Sequence, residues 1–152
     1  MKFPVDARKL LPHRGRMLLI DSVLTASKGE GTVLANPAED SIMRGADGKI
    51  ISAFYVELVA QAYAAVCGYD FIKNGVPIPE GYLVGIQRFE IKQNPSDAGD
   101  ENFTITVKTI GDFDGLAVVE GSISAANGVV AEGKIKLFVP DSEEQQLLPE
   151  TA

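Results

Sequence analysis

Cysteine and histidine each occur once in this chain of 152 residues, and tryptophan is absent. A disulfide needs two cysteines, so Cys67 alone excludes a bridge within the chain and a cysteine-based metal cluster. A chain with so little cysteine is expected to be reduced and cytoplasmic. Any mechanism that takes an imidazole from this chain must take it from His13.

Long apolar runs are missing as well. No stretch approaches the roughly 20 apolar residues that span a bilayer, so no membrane span is predicted. The segment Met1–Asp6 lacks the apolar run of a secretory signal. The net charge of −7 gives the chain an overall field unsuited to nucleic acid. Glycine-rich phosphate loops, nucleophile elbows and metal-ligand spacings are also absent from the sequence.

The length suits one domain with a substantial core. We expect a single domain over residues 1–140 and an acidic, mobile tail over residues 141–152. The remaining signals are a short helix, strands and one loop. They are Asp6–Leu11 (helix), Met17–Leu24 and Thr32–Asn36 (strands), Pro37–Lys49 (loop), and Tyr82–Gln93, Phe103–Lys108, Leu116–Ala125 and Val129–Val139 (strands).

The residues Ser52–Phe71 give the one long helical signal, with Ser52 as a candidate N-cap. Up to Tyr69 the only charge is Glu57 and the only amide is Gln61. A helix that is apolar nearly all round is expected to be buried nearly all round. An antiparallel sheet curled around this helix is the economical α+β solution, which is the hot-dog arrangement. Other α+β folds with one helix fit the same pattern.

Glu57 is the most informative residue. A carboxylate buried in apolar surroundings costs several kcal/mol if it stays charged and unpaired, so it must pair, take up a proton or face a cavity. The alternative is a helix edge that touches solvent. Gln61 lies one turn further on the same face, and the two form a polar stripe that favours a cavity. Cys67, among apolar neighbours, is expected in the core.

The segment around His13 is basic. His13 fits a structural histidine that closes a turn, and it is also the only candidate for an imidazole base. Four cations surround it, namely Arg8, Lys9, Arg14 and Arg16. Such a cluster is either a solvated face or a docking site for an acidic partner or a phosphate, both of which an acyl carrier protein offers.

Two motifs carry a resemblance to a known family. Leu11-Pro12-His13-Arg14 followed by Met17–Leu24 resembles the opening of the 3-hydroxyacyl-ACP dehydratases of type II fatty-acid synthesis, which have the hot-dog fold. Val56–Gln61 is similar to the start of their central helix, where a glutamate precedes a glutamine by four residues. Those enzymes carry a histidine in the loop before the helix, whereas Ser41–Lys49 has none and Ser52 replaces a glycine. The chain therefore looks closer to the divergent dehydratase-like proteins of aryl polyene clusters.

The resemblance implies a lyase that removes water from a 3-hydroxyacyl thioester, with His13 as base and Glu57 as acid. It implies substrate contacts from Gln61 and from the backbone N–H groups of Ser52, Ala53 and Phe54. An acyl tunnel would be bounded by Phe54, Tyr55, Leu58 and Phe89. No metal or cofactor is implied, because the substrate arrives on the phosphopantetheine of acyl carrier protein or on CoA. The expected assembly is a homodimer or a hetero-oligomer with another hot-dog chain. Two alternatives stay open, an acyl thioesterase of the same fold and a non-catalytic subunit that binds acyl carrier protein or an active partner.

Overall fold

The computed structural model describes residues 2–93 and 102–139, which form one antiparallel sheet and one long helix. The seven strands lie in the order β1-β2-β3-β5-β6-β7-β4. Their bounds are β1 Val5–Asp6, β2 Ser22–Ser27, β3 Glu30–Ala35, β4 Tyr82–Ile91, β5 Phe103–Phe113, β6 Leu116–Ala125 and β7 Gly128–Phe138, and the helix α1 spans Ala53–Lys73. The predicted α+β architecture, with one helix against an antiparallel sheet, is confirmed.

The helix α1 packs against β2, β3, β5, β6 and β7. Leu58, Val59 and Val66 are fully buried, and the exposed residues of the helix lie at its two ends, at Ala53 and at Ile72 and Lys73. The sheet comes close where β6 carries Gly121, because a Cβ atom at that position would overlap the side chain of Val59. The predicted burial of this helix is confirmed.

Within the described part of the chain, strand β4 forms one edge of the sheet and pairs only with β7. Ile86 is the cross-strand partner of Ile135, which is fully buried, so Ile86 projects from the face of the sheet that α1 covers elsewhere. Even so, Ile86 is 56% exposed. An apolar edge strand with an uncovered inner face is a surface that needs a partner.

The prediction of a strand from Met17 is wrong, because β2 begins only at Ser22. Gly15–Met17 form a 3₁₀ helix. The carbonyl of Met17 and the N–H of Leu19 bind the side chain of Gln61, so these groups are not available to a neighbouring strand. The apolar run therefore supplies core residues without extending the sheet.

Other boundaries differ in detail. The expected helix over Asp6–Leu11 is a 3₁₀ helix over Ala7–Lys9, preceded by β1. The predicted cap at Ser52 is wrong, since its backbone is already helical and its side chain makes no capping bond. The patterns Asp112–Gly115 and Ala126–Gly128 predict hairpin turns, and the turns that join β5 to β6 and β6 to β7 confirm both, although β5 continues to Phe113 and β7 begins at Gly128.

None of the helices in the described segments is long and apolar enough to cross a membrane. The predicted tail over residues 141–152 lies outside the described residues. The assignment of residues 1–140 to one domain, the mobility of the tail and the cytoplasmic location stay predictions.

Candidate active site

A cavity of about 300 Å³ lies between α1, the His13 segment and the start of β4. His13 and Glu57 both line it. The predicted acid and base, which come from different parts of the chain, therefore face the same space. Their neighbours on the wall are mostly apolar, which weakens the screening of charge in the cavity.

His13 is half-buried, and its Nδ1 atom has no hydrogen-bond partner among the described residues. The neighbouring Arg14 fixes the backbone of this segment. Its guanidinium donates to the carbonyl oxygens of Leu11 at 2.6 Å, His13 at 2.7 Å and Arg8 at 2.9 Å. The main chain at His13 is thus held in place, and Nδ1 of its imidazole is enclosed by the protein without a hydrogen-bond partner among the described residues.

Glu57 is half-buried on the second turn of α1 and has Gln61 as its neighbour. The Nε2 atom of Gln61 lies 3.4 Å from Oε1 of Glu57. Gln61 itself is 2% exposed and is the only buried polar side chain in the described part of the chain. The polar stripe predicted from the sequence therefore exists, with Gln61 at its buried end and Glu57 facing the cavity.

The helix wall of the cavity continues from Glu57 toward the end of α1. Its residues recur every three or four positions, which is the spacing of one helix face. They are Ala60, Gln61, Ala64, Cys67, Gly68 and Phe71. From Glu57 to Phe71 this face extends about 21 Å along the helix axis, given a rise of ~1.5 Å per residue. These side chains are mostly small and apolar, and they form the helix side of the cavity, called the groove below. Leu58 and Phe89 do not line it.

Two titratable groups of this wall are held neutral. Burial raises the pKa of Cys67 to about 11. Burial also raises the pKa of Tyr63, whose hydroxyl lies 2.7 Å from Oγ1 of Thr109. Neither group is a nucleophile at neutral pH, because the thiolate and the phenolate are the reactive forms. Cys67 therefore belongs to the groove wall, half-buried, and not to a catalytic pair.

The far wall of the cavity was not predicted. It comes from the connection before β4 and from the end of β7, with Ile78, Pro79 and Leu137 among its residues. The sequence marked the connection only as turn-rich. A segment without helical or strand periodicity gives no signal for the face that it presents.

The start of α1 borders a second, open cavity of about 780 Å³. Ser52 and Tyr55 line this cavity together with the end of β4 at Ile91. The N–H of Phe54 donates to the carbonyl of Ile51 at 2.9 Å. Ser52, Ala53 and Phe54 are absent from the lining of the first cavity, so within one chain the structure does not bring them to His13 and Glu57.

The three arginines of the basic cluster bind other groups of the chain. Arg8 forms an ion pair with Asp6 at 2.7 Å, and the guanidinium holds the pKa of that carboxyl at about 2. Arg16 donates to the carbonyl of Asp40 at 2.9 Å. Arg14 is bound to backbone carbonyls as described above, and Lys9 is exposed. Arginines bound to carbonyl oxygens keep their charge, so the cluster remains a positive surface beside His13.

The arrangement is suited to proton transfer. It joins one imidazole, one carboxyl and an apolar groove, and general acid–base catalysis needs a base and an acid that reach one substrate. In residues 2–93 and 102–139 no group of three or more histidine, cysteine, aspartate or glutamate side chains is placed to hold a metal ion.

Comparison with known proteins gives consistent results. Residues 5–149 match the ApeP-like family, described as ApeP dehydratase. The 3-hydroxyacyl-[acyl-carrier-protein] dehydratase FabZ of Thermotoga neapolitana is 28% identical over 133 residues, which cover 87% of this chain and 93% of that protein.

Two solved structures show the shared fold. The dehydratase heterocomplex ApeI:P from Xenorhabdus doucetiae matches with a TM-score of 0.81 at 20% identity, over 99% of this chain and 100% of the matched chain. A hypothetical thioesterase from Streptococcus pneumoniae matches with a TM-score of 0.55 at 19% identity, over 77% of this chain and 88% of that one. Proteins described as dehydratases and as thioesterases therefore share this fold.

Proposed function

The chain belongs to the ApeP-like dehydratase family, and we propose that it removes water from a 3-hydroxyacyl chain held as a thioester on acyl carrier protein, with His13 and Glu57 as the catalytic pair. The chain is thus a dehydratase-like lyase of hot-dog fold. The observation that carries the assignment of residues is that His13 and Glu57 line one cavity with an apolar groove behind them.

His13 is the base in this proposal. The imidazole of His13 takes the proton from the α-carbon of the thioester, and the electron pair left behind moves toward the thioester carbonyl. Imidazole is suited to this step because it changes charge near neutral pH. The fixed backbone at His13 reduces the entropy lost when the ring is aligned on the substrate.

Glu57 is the acid. Hydroxide is a poor leaving group, so the β-hydroxyl must receive a proton as the carbon–oxygen bond breaks. The carboxyl of Glu57 supplies that proton, the hydroxyl leaves as water, and a double bond forms between the α- and β-carbons. The proton that His13 has taken then passes to Glu57, directly or by exchange with solvent, which restores the pair. The reaction requires no metal and no redox cofactor.

The groove along α1 takes the acyl chain. A chain whose reacting carbons lie at Glu57 extends past Ala64 toward Phe71, over an apolar surface. Burying each methylene there contributes about 0.8 kcal/mol. Longer chains are therefore held more tightly until they reach Phe71. Gln61 meets the substrate, in this proposal, only at the polar start of the groove.

The basic surface receives the carrier. Lys9, Arg14 and Arg16 lie in or beside the segment that bears His13, and acyl carrier proteins present acidic residues and a phosphopantetheine phosphate. Arg8 contributes less to such a surface because Asp6 neutralises it. Docking at this surface brings the thioester to the cavity mouth.

A second hot-dog chain, like or unlike this one, covers the edge of β4. The two ends of β4 border different cavities: Tyr82 and Leu83 line the first, and Ile91 lines the second. Antiparallel pairing of two such edges sets the start of one strand beside the end of the other. The His13–Glu57 cavity of one chain is then next to the helix start of its partner. The backbone N–H groups of Ser52 and Ala53 at that helix start would stabilise the negative charge on the thioester oxygen, whereas the N–H of Phe54 donates to Ile51.

Two functions compete with this proposal. A thioesterase shares the fold and uses a carboxylate to direct water at the thioester carbon. A non-catalytic subunit is favoured by the absence of histidine from residues 41–49, where related enzymes carry theirs.

One experiment separates the three functions. The full chain, alone and with its hot-dog partner, is given 3-hydroxyacyl-acyl carrier protein. A dehydratase produces the conjugated enoyl thioester, which is followed by its absorbance and by a mass loss of one water. A thioesterase releases free thiol instead. If neither product depends on His13 or Glu57 in the assembled complex, the catalytic proposal is wrong and the subunit role is favoured.

A further inference from the structure

Gln61 joins the two halves of the proposed site. Its Oε1 atom accepts the N–H of Leu19 at 3.0 Å, and its Nε2 atom donates to the carbonyl of Met17 at 2.8 Å. Both partners belong to the segment that follows His13. The same Nε2 atom lies 3.4 Å from Oε1 of Glu57. One buried side chain therefore contacts the segment of the base and the carboxyl of the acid.

These contacts fix the orientation of the amide. If the oxygen and nitrogen of Gln61 were exchanged, the nitrogen would face the N–H of Leu19 and the oxygen would face the carbonyl of Met17. An N–H donor would then face another N–H donor, and an oxygen would face another oxygen. Each buried group left without a hydrogen bond costs about 1–3 kcal/mol. The NH₂ group must therefore point toward Met17 and Glu57.

The two oxygens of Glu57 are unequal for this reason. Oε1 accepts from the N–H of Gln61, and a proton on Oε1 would be repelled by the hydrogen of that donor. When Glu57 is protonated, its hydrogen is therefore carried by Oε2, while Oε1 remains the accepting oxygen. We propose that Gln61 is a positioning residue: it makes Oε2 of Glu57 the oxygen that delivers the proton, and it ties the His13 segment to the same helix turn. This proposal rests on the proposed function, with Glu57 as the acid.

The test replaces Gln61 in two ways. Gln61→Glu keeps the length of the side chain and an acceptor for Leu19, removes both N–H donors, and places a second carboxyl beside Glu57. Gln61→Met keeps the length and removes every hydrogen bond without adding charge. Asn74→Asp is the matched control, since it makes the same amide-to-carboxylate change at the exposed end of the same helix.

The expected results separate positioning from folding. Both Gln61 variants lower kcat about tenfold or more and leave KM nearly unchanged, because the groove and the carrier surface are intact. The limb of the pH–rate profile that depends on Glu57 moves to higher pH by the larger amount in Gln61→Glu, because a neighbouring negative charge disfavours ionisation. Gln61→Met loses only the N–H donor to Glu57 and moves the limb less. The other titratable groups on this cavity, unchanged in each variant, are His13, Tyr63, Cys67, Glu80 and Tyr82. Asn74→Asp leaves both kcat and the profile as in the parent chain.

Failure of the positioning role and failure of the proposed function give different results. If Glu57→Gln abolishes dehydration but both Gln61 variants keep the parent kcat and profile, the positioning role is overturned and the catalytic pair stands. If Glu57→Gln itself leaves dehydration intact, Glu57 is not the acid and the proposed catalytic pair falls. In that case the contact between Gln61 and Glu57 is tested separately, by following the carbon-13 carboxyl resonance of Glu57 as the pH is changed. The transition is expected at higher pH in Gln61→Glu than in the parent chain. An unchanged transition would show that the two side chains are not in contact.

Discussion

His13 and Glu57 face one cavity in a single chain, although one lies before the first long strand and the other on the central helix. The imidazole has an enclosed Nδ1 atom without a hydrogen-bond partner among the described residues, and the carboxyl has one oxygen next to an amide donor. In the proposed mechanism this pair takes the place of the loop histidine that the resemblance leads us to expect and that Ser41–Lys49 lacks.

Glu57→Gln is expected to lower the dehydration rate by about 10²- to 10⁴-fold, the usual contribution of one general acid. The amide is the same size but has no proton to deliver, so the melting temperature should change little. Initial rates with 3-hydroxyacyl-acyl carrier protein measure the loss. Glu80, an exposed carboxylate on the cavity rim that binds the hydroxyl of Tyr82, gives the comparison. A larger loss in Glu80→Gln than in Glu57→Gln would move the acid role to Glu80.

Chemical modification of the only histidine should abolish activity. One equivalent of diethyl pyrocarbonate reacts with His13, because the chain contains no second imidazole. Bound acyl-pantetheine is expected to slow the reaction, since His13 lines the cavity that the substrate fills. Absorbance counts the modified histidines while the residual rate is followed, and His13→Gln is the unreactive control. Activity that survives complete modification would contradict the role of His13 as base.

The pattern of the sequence predicted the fold because its signals are local. Strict alternation marked β5, and the mostly apolar segment Ser52–Phe71, with one charge up to Tyr69, marked α1. Glu57 could be singled out for the same reason, since a lone charge in an apolar helix must be explained by burial or by a cavity. Periodicity also paired it with Gln61, four residues further on.

The partners of Gln61 could not be predicted. Met17 and Leu19 are more than 40 residues away in the chain, and they bind the amide through backbone groups that every residue has. The far wall of the cavity, around Ile78 and Pro79, escaped prediction because it belongs to a segment without periodicity. Long-range contacts to backbone atoms leave no trace in residue types, whereas burial of side chains does.

Cys67 is expected to report on the groove through its reaction with iodoacetamide. Its pKa of about 11 means that the thiolate is scarce at neutral pH. The alkylation rate should therefore rise about tenfold per pH unit between pH 8 and 10, without the plateau of an ordinary thiol. Mass spectrometry follows the single modification. Acyl chains that reach Cys67 should protect it, and short acyl chains should not. Equal protection by both would show that the chain lies elsewhere.

Gly121→Ala is expected to destabilise the fold by about 1–3 kcal/mol, because the new methyl group overlaps the buried side chain of Val59. Denaturant unfolding measures the change. Gly111→Ala is the control, since its nearest neighbour would be Val118 at an ordinary 3.9 Å. The double variant Val59→Ala with Gly121→Ala tests the cause: removing the overlapped methyl groups should make the second substitution less costly. Purely additive effects would refute steric overlap as the reason.

Ile86→Asp is expected to dissociate the assembly. Ile86 projects from the uncovered inner face of β4, and a carboxylate there would be buried against the partner without a counter-charge. The dissociation constant should rise at least about tenfold, which corresponds to about 1.4 kcal/mol. Light scattering coupled to size-exclusion chromatography measures the mass over a dilution series. Ile110→Asp is the matched control, because Ile110 is 44% exposed on β5, away from that edge. If the helix start of the partner completes the site, dehydration by Ile86→Asp must fall together with assembly and recover at high protein concentration. A variant that is fully active as a single chain would show that His13 and Glu57 need no partner.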